Sequence, residues 1–144
     1  MQLPFFVYGT LKPGGLNYAR YLAGLTVEEL PASLPGAALF SPGPFPFLTT
    51  EPDLLLPGDV AGGTLITVAP GHYPATLPAL DRLEGFTPGG TRNLYERLAL
   101  DVATAQGPRR AWVYVAGERA LRLIRAGRMR RVDGGVWLAA PGLS

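Results

Sequence analysis

Apolar residues fall in short runs along the chain, each ended by proline or glycine, and their spacing switches between strand-like and helix-like. "LPFFVY" (3–8) is an apolar run of strand length. It ends abruptly in Tyr8-Gly9-Thr10-Leu11, ahead of a loop holding Pro13, Gly14 and Gly15. "NYARYLAGL" (17–25) predicts a short helix after that loop. "GAALFS" (36–41) predicts a second strand, and the proline-rich "PGPFPFLT" (42–49) an irregular or edge strand. In "VAGGTLITV" (60–68) the paired glycines mark a bulge or a close backbone approach within a strand. "HYPATLPALDRLEGF" (72–86) predicts a helix. "YERLALDVAT" (95–104) and "RRAWVYVAG" (109–117) predict a hairpin around Gln106-Gly107-Pro108, with alternation in Leu98, Leu100 and Val102 and in Trp112 and Tyr114. The C-terminal part adds one short helix and "GGVWLAA" (134–140). Strands dominate around one good helix, which predicts an α+β fold whose five, six or more strands curl toward a barrel.

A length of 144 residues suits a single domain, 1–144. The 19 Gly and 15 Pro are scattered as punctuation, as expected of many short elements joined by turns. Cysteine is absent, which excludes disulfides and thiolate chemistry. The one histidine, His72, sits in the turn-like "APGHYP", so no histidine metal cluster can form and no metal is expected. The long uncharged stretch from Leu30 to Thr50 contains five prolines and cannot be a membrane helix. "MQLPFF" carries no basic n-region and no long apolar run follows it, so the expectation is a soluble, cytoplasmic protein.

Charge is uneven. Residues 107–144 carry eight arginines against Glu118 and Asp133. Such a segment suits a polyanion. Arg119, Arg122 and Arg125, however, recur at helical spacing beside Leu121, Leu123 and Ile124, as on a solvated face of a surface helix. No aromatic stacking motif accompanies them, which weighs against nucleic acid.

The carboxylate of greatest interest is Glu84. At 100° per residue, Tyr73, Leu77, Leu80 and Glu84 fall on one stripe of the central helix, with Asp81 close to it and Arg82 pointing away. A carboxylate on an apolar face has its pKa raised by desolvation and is poised for proton exchange near neutrality. The alternative is a glutamate at a frayed helix end, facing water or paired with Arg92 or Arg97. The opening loop offers complementary chemistry. A strand ending in Tyr-Gly-Thr-Leu turns successive N–H groups toward one point and favours a carboxylate or oxyanion, and Gly9 permits close approach. The loop lacks the Gly-Lys-Ser/Thr ending of a P-loop.

Four motifs in order, "FVYGTLKPGGLN", "LDRLEGF", "LYERLALDV" and "AWVYV", resemble the gamma-glutamylcyclotransferase family, and the first is closest to its gamma-glutamylamine branch. The resemblance implies a small mixed barrel with a few helices. It also implies a cofactor-independent reaction that releases 5-oxoproline from a gamma-glutamyl amide, with a small gamma-glutamyl molecule as substrate. Carried onto this chain, Glu84 is the general acid and base. Tyr8, Gly9, Thr10 and Leu11 hold the substrate carboxylate or the developing oxyanion, with the Thr10 hydroxyl adding to them. Tyr95 and Tyr114 are pocket walls and hydrogen-bond donors, with cross-strand packing as an equal alternative. Arg97 orients Glu84, binds carboxylate or makes a surface ion pair. "FTPGGTRN" (86–93) and residues 42–57 match the family only loosely, and substrate identity is expected to lie there. Two rival readings remain: a non-catalytic module of the same fold that binds small carboxylates, and a polyanion-binding protein using the arginine-rich segment.

Overall fold

A computed structural model describes residues 2–138. Its first strand, β1 (Phe5–Val7), is paired on both sides. It runs antiparallel to β5 (Val60–Val68), with Phe5 opposite Ile66, and parallel to β7 (Gly107–Ala116), with Phe5 opposite Trp112. A backbone bond from Trp112 N–H to Pro4 O (2.8 Å) seals the second seam. β5 continues to β2 (Thr26–Pro35), β2 to β6 (Tyr95–Thr104), and β6 to β7 through an unbroken antiparallel hairpin. These five strands therefore close on themselves, which removes the exposed sheet edges an open sheet would leave. β4 (Phe47–Thr49), β3 (Ala38–Ser41) and the short β8 (Arg130–Arg131) extend the sheet outward from β7. Three helices complete the α+β barrel: α1 (Tyr18–Tyr21), α2 (Tyr73–Leu83) and α3 (Glu118–Arg125).

Two apolar clusters share the ring. One takes Phe6, Leu34, Leu65, Val102 and Val113 from all five strands and fills the barrel. The other takes the opposite faces, including Phe5, Val7, Ile66 and Tyr114, and packs them against Leu22, Leu80 and Ile124, which come from the three helices and their ends. Both faces of β1 are thus buried, which is why it reads as a continuous apolar run, and β7 becomes continuously buried only toward its end, from Val113 to Ala116.

Several expectations are corrected. The segment ending in Phe47–Thr49 is not an edge strand: β4 lies between β7 and β3, and its prolines precede it. β2 was not foreseen, because Pro31 and Pro35 argue against a strand. Its ladder to β6 is confined to Ala32 and Ser33, so both prolines fall outside that pairing, where a missing N–H is tolerated. The predicted 17–25 helix shrinks to one turn, α1. The glycine pair in β5 marks close approach and not a bulge. A Cβ on Gly63 would sit 2.3 Å from the Val7 carbonyl oxygen, while the β2–β5 register runs unbroken past Gly62 and Gly63. "GGVWLAA" enters through a 3-10 turn at Asp133–Gly135, and Ala139 and Ala140 lie outside the described residues. The arginines of α3 are exposed; Arg125 pairs with Glu51 (3.0 Å) and Asp53 (2.9 Å), and Ala120 and Ile124 form the buried side. No helix among the described residues is long and apolar enough to cross a membrane.

Candidate active site

Directly after β1 the chain folds into a tight loop. Lys12 N–H donates to Gly9 O (3.1 Å), Gly15 N–H to Lys12 O (2.7 Å) and Asn17 N–H to Thr10 O (2.8 Å). These bonds occupy the carbonyls of the loop. Among the described residues the amides of Gly9, Thr10 and Leu11 donate to no protein acceptor, so a row of N–H groups is left over. The Asn17 side-chain amide also donates to the Thr10 hydroxyl (2.8 Å), which keeps its own hydrogen for another acceptor. Asn17 was not singled out as a site residue, yet it fixes Thr10 from two directions. Gly9 has a further reason to be glycine. A Cβ there would meet the Pro46 ring at 2.9 Å, so one side of Gly9 is closed by packing and not left open to a ligand.

Opposite this loop, α2 ends one residue before Glu84. Phe86 N–H returns to Asp81 O (2.9 Å) and Gly85 N–H to Arg82 O (3.2 Å), with Gly85 at φ +66°. This paired C-terminal closure requires a left-handed residue, which glycine supplies. The helix end is therefore ordered and not frayed. Glu84 is half-buried, and its carboxylate makes no ion pair or side-chain hydrogen bond among the described residues. Burial pushes its pKa up to about 7.

Neither expected cation pairs with Glu84 among the described residues: Arg92 is exposed, and Arg97 is engaged elsewhere. Arg97 gives a two-point ion pair to Asp81 (2.8 and 3.3 Å), with its guanidinium 4.2 Å from the centre of the Trp112 ring and 5.1 Å from that of Phe86. It neither orients Glu84 nor lies on the surface: the two side chains are only 11% and 12% exposed. Asp81 also accepts from the Tyr114 hydroxyl (2.7 Å). Tyr95 donates to Pro46 O (2.7 Å), and Tyr8 donates to Tyr114 O (2.5 Å) while accepting from Leu48 N–H (3.2 Å). Each of the three phenols thus already donates within the protein, so Tyr95 and Tyr114 line the cavity as walls whose hydroxyl hydrogens go to Pro46 O and Asp81. Burial, the first cause for each, raises all three phenol pKa values, so the rings are neutral walls.

The loop, Glu84 and the tyrosines surround one cavity of about 240 Å³. Tyr8, Gly9, Thr10, Leu11, Tyr95 and Tyr114 all line it together with Glu84, as do Asn17, Leu16, Phe45 and Leu94. None of the described residues lining it is Lys, Arg or His. Among the described residues no cluster of His, Cys, Asp or Glu could hold a metal. The cavity therefore offers an unpaired carboxyl titrating near neutrality across from N–H donors suited to an anion. That combination can orient a small carboxylate and move a proton beside it.

Known proteins share both the pattern and the fold. A protein from Niallia circulans, gamma-L-glutamyl-butirosin B gamma-glutamyl cyclotransferase, is 33% identical over 111 residues, covering 76% of this chain. The chain spans 64% of that relative's length. YkqA from Bacillus subtilis superposes with a TM-score of 0.65 at 20% identity, over 95% of this chain and 40% of that one. An AIG2-like protein from Mus musculus superposes with a TM-score of 0.62 at 24% identity, over 83% of this chain and 82% of that one. The model of the family described as gamma-glutamyl cyclotransferase, AIG2-like, matches residues 5–139, from the first strand to beyond α3. The chain belongs to that family.

Proposed function

We propose that this protein cyclises a gamma-glutamyl amide, releasing 5-oxoproline and a free amine, with Glu84 as the general acid and base. The observation that carries this reading is the placement of an unpaired, half-buried Glu84 in the same cavity as the unoccupied amides of Gly9, Thr10 and Leu11. A gamma-glutamyl group holds its own nucleophile, the α-amine, within reach of its γ-carbonyl. Ring closure therefore needs orientation and proton transfer and little else.

The substrate carboxylate, or the oxyanion as it develops, lies against the loop amides and the Thr10 hydroxyl. The α-ammonium first loses a proton to the Glu84 carboxylate, which passes it to solvent. The amine nitrogen then attacks the γ-carbonyl carbon and closes the five-membered ring. Glu84 takes the second proton from that nitrogen and delivers it to the leaving nitrogen as the amide C–N bond breaks. With its pKa near 7, Glu84 can act in both directions near neutral pH. The neutral tyrosine walls add no competing charge.

The Niallia circulans relative is named for a gamma-glutamyl amide, which supports this substrate class and leaves its amine portion open. The reading is tested by incubating the protein with a panel of gamma-glutamyl dipeptides and gamma-glutamylamines and measuring 5-oxoproline. Cyclisation of at least one member, lost in Glu84→Gln, is the expected result. No 5-oxoproline from any member would overturn the proposal.

A further inference from the structure

The outer part of the cavity differs from its inner part. Inside are Glu84, the loop amides and the buried tyrosines. Outside are residues both apolar and accessible: Leu16 is 72% exposed, Leu94 is 41% exposed, Pro44 is exposed and Phe45 is half-buried. Leu16 is held out by the same loop that carries the amides, between Gly15 and Asn17. Leu94 is seated against Gly85, where a Cβ would meet its own Cβ at 3.2 Å, so it stands beside the end of α2. Large apolar side chains exposed together at a cavity mouth mark a surface meant to be covered.

Resting on the function proposed above, we infer that the amine portion of the substrate is apolar and carries no carboxylate. The glutamyl head takes the inner end, where its carboxylate meets the amides and its amine meets Glu84. The leaving amine then points outward over Leu16, Pro44, Phe45 and Leu94. A gamma-glutamyl dipeptide would bring a second carboxylate to this end. The cavity offers it no Lys, Arg or His, and the charged group it does contain is another carboxylate. A carboxylate stripped of water without a partner is strongly disfavoured. An alkylamine or arylamine covers the same apolar surface with no such cost.

The test uses a matched pair: gamma-L-glutamyl-L-leucine and gamma-L-glutamyl-isopentylamine, which differ only by the leucine carboxylate. Gamma-L-glutamyl-methylamine, which lacks the apolar body, is the third compound. Turnover is read as 5-oxoproline release, and binding to wild type and to Glu84→Gln is read by calorimetry. The isopentylamide is expected to exceed both others by about tenfold or more in kcat/KM and in affinity. Leu16→Arg, at a mostly exposed position, should narrow the gap by improving the dipeptide. A dipeptide handled as well as the isopentylamide, or a methylamide handled as well, overturns the inference while the cyclisation reading stands. The same ordering in binding without any 5-oxoproline upholds the inference and overturns the cyclisation. Failure of all three compounds to bind overturns both.

Discussion

Asp81 accepts two hydrogen bonds from Arg97, at 2.8 and 3.3 Å, and in doing so keeps the guanidinium away from Glu84 one turn further along the chain. Two acidic residues at one helix end thus have opposite surroundings: one is paired and the other is not. The pair also ties α2 to the hairpin of β6 and β7, since Asp81 accepts from Tyr114 as well. Asp81→Asn leaves the guanidinium buried between Trp112 and Phe86 without its counter-ion. Loss of one partner from a buried pair costs about 3–5 kcal/mol, and urea denaturation should show a destabilisation of that size.

Glu84→Gln preserves shape and removes proton exchange. Turnover of an accepted gamma-glutamyl amide should fall by about 10²-fold or more, with the circular dichroism spectrum unchanged. Near-wild-type turnover in this variant would remove Glu84 from the mechanism.

The raised pKa of Glu84 makes a prediction about stability independent of any substrate. Its folded value of about 7 lies above the ordinary 4.5, so the folded chain binds this proton more tightly than the unfolded chain. Stability from this group therefore falls as pH rises from about 4.5 to about 7, and the penalty is complete above that range. Glu84→Gln should melt higher than wild type at pH 8, and the difference should vanish near pH 4. In kcat/KM the wild type should show a rising limb centred near pH 7.

Gly9→Ala forces a Cβ to within 2.9 Å of the Pro46 ring. The ring cannot rotate aside as a flexible chain would, so the loop must shift. Overpacking of this kind costs about 1–3 kcal/mol. Because the amides move with the loop, KM should rise more than stability alone would suggest. Thermal melts and steady-state kinetics on one preparation separate the two effects.

Changing Arg119, Arg122 and Arg125 together to Gln should leave cyclisation nearly intact. All three are exposed, and exposed ion pairs such as those of Arg125 with Glu51 and Asp53 contribute about 0–1 kcal/mol. An activity collapse would place α3 in the site. Salt-dependent retention of labelled RNA or DNA by wild type but not by this variant would support the polyanion reading.

Where the sequence was legible, local chemistry carried the signal. The stripe of Tyr73, Leu77, Leu80 and Glu84 put Glu84 on the apolar side of the helix while leaving a frayed or paired end open, and the break after Tyr8 marked where the strand gives way to the loop, because both follow from spacing over a few residues. What could not be read depends on residues distant in the chain. Arg97 was legible as a cation but not as the partner of Asp81, sixteen residues earlier on another element. Tyr95 and Tyr114 read as donors or as packing, and nothing local shows that Pro46 and Asp81 supply their acceptors. β2 was hidden by two prolines whose missing N–H groups matter only once the extent of the β6 ladder is known. Gly9 read as a ligand-facing glycine, since the ring of Pro46 reaches it only in the folded chain.

The seam between β1 and β7 has a consequence for how the protein is made. Phe5 and Trp112 are separated by most of the chain, yet they must meet before the ring can close. Contacts of such long sequence separation slow folding, because the connecting chain must be ordered before the pairing rewards it. A chain interrupted ahead of Trp112 keeps the loop that follows β1 but lacks the β7 partner that anchors it on that side. Closure of the five-strand ring, and with it the anchoring of the loop that follows β1, should therefore come late in folding and as a single step.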